Sequence, residues 1–97
     1  MPGTTSPVRL IASDVDGTLL TPDHRISAEV RAAVAEATDG WGADIVFECS
    51  GAAPAILGLP ALARPGGAIV LVGMPVDPVP VDIVGLQAKE LRVETVF

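Results

Sequence analysis

The chain is 97 residues long and carries a net charge of -6, with 12 acids against 6 Lys and Arg; 49% of it is apolar and only 3% aromatic. With no cluster of basic side chains it has little to neutralise a run of phosphates, which excludes non-specific nucleic-acid binding. A single cysteine, Cys49, excludes an internal disulfide and any metal site made of several cysteines.

In chain order, residues 1–7 (MPGTTSP) read as a disordered tail, and with no basic stretch followed by an apolar one they are not expected to be a signal peptide. No apolar run approaches the ~18 residues that would span a membrane, so a cytoplasmic location is expected. Residues 8–13 (VRLIAS) form the first predicted strand, and Asp14 and Asp16 follow at its tip. Ser27 is a suitable N-cap for a helix through AEVRAAVAEA, with Glu29 favourable in the first turn. Val30, Ala33, Val34 and Ala37 form its apolar stripe. TDGWG (38–42) stops that helix, and ADIVFECS (43–50) is a second strand, in which Cys49 reads as a buried thiol.

GAAPAILGLPALA suggests a helix opened by Pro54, and Gly58 and Pro60 inside it predict a short, kinked or split element. RPGG closes it, and AIVLVG (68–73) is the clearest buried strand. MPVDPVPVD is barred from a central strand because each proline removes a ladder donor. A short helix over 83–89 and a strand over 91–97 complete the chain.

This order is that of a single α/β domain over residues 1–97, a four-stranded parallel sheet with crossover helices. If each strand adds to the same edge, the strand order is 1-2-3-4, and right-handed crossovers place the first two helices on one face. The other face would then present Val, Ile and Leu, a patch that predicts a homodimer through a second copy of the chain.

Chemistry is expected at the carboxyl ends of such strands. Asp14 and Asp16 project to the same side if the strand persists to its tip. There they would hold Mg²⁺, and one would serve as a nucleophile toward phosphorus. Gly17 lets backbone approach a phosphate, and Thr18 adds a hydroxyl.

The run DVDGTLL, continued by TPDHRISAEVRAAVAEA, resembles the first motif of the haloacid-dehalogenase-like sugar phosphatases over residues 8–37. That resemblance implies Asp14 as nucleophile, Asp16 as general acid/base, both at a Mg²⁺ site, and Gly17, Thr18, Ser50 and Gly51 around the phosphoryl group. The family's lysine and late acids are not matched. Lys89 lacks the right context, and Asp77 and Asp82 lie among prolines.

From Thr38 onward the chain resembles a different family. GADIVFECSG and RPGGAIVLVGMP, then VDIVGLQAKELRVETVF, are similar to the later half of the dinucleotide-binding domain of zinc-type medium-chain dehydrogenases, in their polyol branch. The resemblance implies that Cys49, Ser50, Gly51, Val72, Gly73 and Met74 lie on the nicotinamide side of NAD, with Thr95, Val96 and Phe97 in the last strand. The chain contains no GxGxxG turn and no acid about 20 residues beyond one. His24 and Cys49 cannot by themselves make a catalytic zinc site, which needs three protein ligands.

Two resemblances meeting near Ala37–Thr38 lead to the expectation of an engineered or fused chimera, phosphatase-derived over 8–37 and dehydrogenase-derived over 38–97. It would lack efficient catalysis and keep weak phosphate or Mg²⁺ affinity at Asp14, Asp16 and Ser50. No obligatory cofactor and no NAD binding are expected on that reading. The alternatives are a residual Mg²⁺-dependent phosphatase acting through Asp14 and a partial NAD-binding module.

Overall fold

The computed structural model describes residues 10–13, as backbone, and residues 26–97. Four strands run parallel in one sheet in the order β1-β2-β3-β4: β1 (Leu10–Ser13), β2 (Ala43–Glu48), β3 (Ala63–Leu71) and β4 (Arg92–Thr95). Three helices connect them, α1 (Ala28–Ala37), α2 (Ala53–Gly58) and α3 (Ile83–Ala88). Among the described residues no helix is long and apolar enough to cross a membrane. Asp14, Asp16, Gly17, Thr18 and His24 lie outside the described residues.

Helix α1 begins where its cap chemistry requires. Ser27 is extended, and its Oγ accepts a hydrogen bond from the Val30 amide at 3.1 Å, satisfying one of the free amides of the first turn. Only Val34 of the expected stripe is buried; Val30 is half-buried, while Ala33 and Ala37 are exposed. The stripe is narrower than its spacing suggests: Val34 alone joins the buried cluster with Ile26 and the β2 and α2 aliphatics, and Val30 packs partly against it.

The end of α1 is tied into β2. Thr38 is 3% exposed, and its hydroxyl donates to the Val34 carbonyl at 2.7 Å while accepting from the Gly42 amide at 2.9 Å. Between those partners the chain reverses through left-handed Asp39 (φ 53°), Gly40 and Gly42. A side chain at Gly42 would meet the Arg64 nitrogen at 2.6 Å, so β2 can start beside β3 only with glycine there. The segment containing the supposed joint is thus a continuous helix-to-strand connection with a buried hydroxyl at its centre.

Strand β2 ends at Glu48 rather than Ser50, and β3 starts at Ala63 rather than Ala68. Ala43 pairs with Ala63 and Ile45 with Ala68, so Arg64–Gly67 forms a bulge within β3. The RPGG segment, expected to be a helix terminator, is therefore part of interior strand β3. Its Arg64 Nε donates to Asp44 Oδ1 at 2.7 Å, and the Gly66 amide donates to the Lys89 carbonyl at 2.7 Å.

As its proline predicts, the second helical segment is split. Helix α2 gives way at Leu59 to a single 3-10 turn, Leu59–Ala61, in which Pro60 needs no amide partner. Ile56, Leu59 and Leu62 then pack with Val46, Ile69, Val34 and Ile26 into an aliphatic core. Alternation along the strands puts Ile45, Phe47 and Val70 on the opposite face, where they are half-buried.

The proline-rich segment after β3 contains no strand, and Asp82 caps α3 through a bond from the Gly85 amide at 2.9 Å. Lys89 ends α3 and donates to the carbonyls of Pro60 and Ala63 at 2.7 and 2.8 Å, fastening it to the 3-10 turn.

Replacing Thr38 by valine keeps its shape but removes both bonds and leaves the Gly42 amide unpaired. The expected cost is about 1–3 kcal/mol. Urea unfolding checks this, with a lowered midpoint and unchanged slope as the expected result.

Candidate functional site

The carboxyl ends of β2 and β3 form the one strand-tip region at which the expected site residues are brought together among the described residues. Its organiser is Glu48, the last residue of β2, only 1% exposed. An acid in that setting requires its oxygens to be filled by donors. They are filled locally: the Ser50 amide and hydroxyl both donate to Oε1, and the Gly51 amide donates to Oε1 at 2.9 Å. Ser50 Oγ in turn accepts from the Ala52 amide at 3.1 Å, which leads the chain into α2.

The main chain of Glu48 serves the neighbouring strand. Its carbonyl accepts from the amides of Val72 and Gly73 at 2.9 and 2.8 Å, just past the end of β3. One residue therefore shapes the Cys49–Gly51 loop with its side chain and anchors the Val72–Met74 loop with its backbone.

These loops meet glycine against glycine. A side chain at Gly73 would fall onto the Gly51 nitrogen, and would also lie 2.7 Å from the Cys49 carbonyl carbon. Gly51 itself has φ 72°, and a side chain there would meet the Met74 backbone at 3.0 Å. Both positions need glycine because two backbones occupy the space of one side chain.

Beyond this contact the loops diverge into a cleft of about 350 Å³, lined by Ser50, Gly51, Ala52–Pro54 and Met74–Val76. Cys49, Val72 and Gly73 support the cleft without lining it. At the next strand the Val96 amide donates to the Leu71 carbonyl at 3.0 Å, and Phe97 is fully exposed. A larger cleft of about 470 Å³, lined by Ile26, Arg31, Leu57, Gly58 and Pro80, adjoins the first across Ala53 and Pro54, on the side away from Ser50 and Met74. Strand tips are where α/β sheets bind ligands, which favours the smaller cleft.

The remaining candidates have other tasks. Lys89 is committed to two carbonyls and Asp82 to a helix cap, so neither supplies the missing parts of a phosphatase. The expected phosphate donors of Ser50 and Gly51 are already given to Glu48. Among the described residues no group of three or more His, Cys, Asp or Glu could hold a metal ion. Glu48 was not singled out from the sequence, although an acid closing an aliphatic strand, two residues before a serine and a glycine, is the available signal.

A family model described as zinc-binding dehydrogenase matches residues 17–97. A putative D-xylulose reductase of Agrobacterium fabrum is 91% identical over 65 residues, 67% of this chain and 19% of that protein. The D-xylulose reductase of Morganella morganii is 46% identical over 78 residues, 76% of this chain and 23% of that protein. The D-arabinose dehydrogenase of Sulfolobus solfataricus superposes with a TM-score of 0.70 over 90% of this chain and 37% of its own, at 18% identity, a likeness of fold alone. The chain thus spans about a fifth of the length of the curated relatives it matches.

Three expectations are corrected by these matches. The family match starts inside the DVDGTLL motif and runs through Ala37–Thr38, so it gives no support to a chimera joined there. The reductase relatives overturn the reading of a domain without catalysis and that of a haloacid-dehalogenase-like phosphohydrolase. The same findings overturn the expectation that NAD is not bound and that no cofactor is required, since the matched family implies NAD(H) and zinc.

Gly73→Ala should force the two tip loops apart, at a cost of about 1–3 kcal/mol from overpacking. Thermal unfolding checks the loss, and amide spectra should show the largest shifts at Ser50, Gly51 and Met74.

Proposed function

This chain belongs to the zinc-binding dehydrogenase family, and from that premise we propose that it forms the nicotinamide-side part of a dinucleotide-binding domain. In the complete oxidoreductase this part would hold NAD(H) for the interconversion of a polyol and a ketose of the D-xylulose kind, the substrate in the names of its relatives. The observation that carries the reading is the glycine-to-glycine contact of the two tip loops beneath a cleft at the carboxyl ends of parallel strands.

Each part of that cleft has a task in this reading. Gly51 and Gly73 keep the floor free of side chains, so a flat ring can lie close to backbone. Met74, Pro75 and Val76 form a mostly apolar wall that keeps water from the ring. Cys49, Ser50, Gly51, Val72, Gly73 and Met74 are the residues assigned to the cofactor side. Bound NAD(H) supplies or accepts the hydride; the chain binds and orients it.

Zinc does not fit the described residues. They hold no suitable ligand cluster, and Cys49 is the only cysteine of the chain.

The reading predicts a saturable rise in NADH fluorescence on titration with the chain. Met74→Ala should weaken that binding about fivefold, equivalent to about 1 kcal/mol of apolar contact. A flat titration to millimolar NADH would overturn the assignment.

A further inference from the structure

The amino ends of the strands carry a second concave feature that the NAD(H) reading leaves unused. Asp44 near the start of β2, the Arg64–Gly67 bulge of β3 and Arg92 at the start of β4 enclose a cleft of about 270 Å³. Because the strands are parallel, it lies at the opposite end of the sheet from the cleft at Ser50 and Met74. Two arginines and one aspartate line it, so it is locally positive on a chain whose net charge is -6.

Arg64 is held in place before any ligand arrives. Its Nε donates to Asp44 Oδ1 at 2.7 Å and its Nη1 to the Pro65 carbonyl at 2.8 Å, which fixes the guanidinium against the bulge. Gly66 keeps that position open, since a side chain there would come within 3.3 Å of Nη1. The rotamer freedom that an arginine ordinarily loses on gripping an anion is therefore lost already on folding. Arg92 is exposed on the neighbouring strand, in one row with Ile45 and Ala68. Among the described residues it has no ion-pair partner, and Glu94, two residues along the same face, does not line the cleft.

We propose that this cleft is a site for a small oxyanion, a phosphomonoester or a short carboxylate, gripped between the anchored guanidinium of Arg64 and the free one of Arg92. Asp44 offsets one positive charge and leaves the other in excess. The planar fork of arginine matches paired oxygens of either anion. Ile45 and Ala68 supply an apolar floor, where less water screens the charges. Size sets the ligand class: a cleft of about 270 Å³ falls below the roughly 300–1,000 Å³ that drug-sized ligands occupy, which favours an anion of a few heavy atoms over a nucleotide. The site is independent of the NAD(H) reading. When filled it would add a bridge from the β3 bulge to β4, beside the bond from the Gly66 amide to the Lys89 carbonyl.

The test titrates the isotopically labelled chain with inorganic phosphate and, separately, with succinate, at an ionic strength held constant with sodium chloride. The amide signals of Gly66, Gly67 and Ala68 should shift and saturate with a midpoint of about 1–10 mM, as two charge-assisted contacts in a half-open cleft imply. The probe with the lower midpoint identifies the anion as phosphate-like or carboxylate-like. Arg92→Gln, at an exposed side chain, should leave the rest of the spectrum in place and raise the midpoint at least about fivefold. Arg64→Lys keeps a charge beside Asp44 but loses the fork, and should raise it as well. Saturating NADH should leave the midpoint unchanged, because the two clefts lie at opposite ends of the strands. Shifts that fail to saturate by about 100 mM, where screening dominates, would overturn the proposal. So would an unchanged midpoint in Arg92→Gln, which would mean an adventitious ion only.

Discussion

The strand-tip architecture depends on one buried carboxylate. Glu48 lies at the end of β2 with almost no contact with water, and the loop after it folds back until three donors reach its oxygens. A buried acid without them would cost several kcal/mol, so the loop's shape is the condition for tolerating the acid. The same residue's carbonyl binds the start of the β3 loop, and this brings Gly73 onto Gly51. Cleft, glycine requirement and donor occupancy all follow from that one residue.

At the other end of β2 a second buried polar group does a comparable job. Thr38 joins the last turn of α1 to Gly42, and Gly42 lets β2 lie against the β3 backbone. The sheet is thus fixed at both ends of its central strand by a side chain bonding to nearby backbone. Between them the core needs only aliphatic volume, supplied by Val46, Ile56, Leu59, Leu62 and Ile69.

Much of this fold was legible in the sequence because local signals agreed with tertiary ones. Ser27 marks the start of α1, Pro60 splits the second helical segment, and aliphatic runs mark β2 and β3. The bulge at Arg64–Gly67 was not legible: Pro and Gly there signal a turn, and only pairing with β2 makes the segment part of a strand. Thr38 and Glu48 escaped for a related reason. Their partners are close in sequence, but burial, which makes them decisive, comes from distant aliphatics. The segments forming the candidate site were legible only through resemblance to dehydrogenases, since the cleft has no charged group of its own lining it. The DVDGTLL motif shows the opposite hazard. Seven residues with an attractive chemistry suggested a phosphatase, whereas the dehydrogenase match extends over residues 17–97.

The central claim is that the nicotinamide end of the dinucleotide lies against the Glu48-shaped corner. Intermolecular Overhauser contacts in the NADH complex measure this most directly. Contacts from the nicotinamide ring protons to Met74 and to the Gly51 α-protons, with none from adenine, are the result expected. Adenine contacts at those residues, or no contact there at saturating NADH, would contradict the claim.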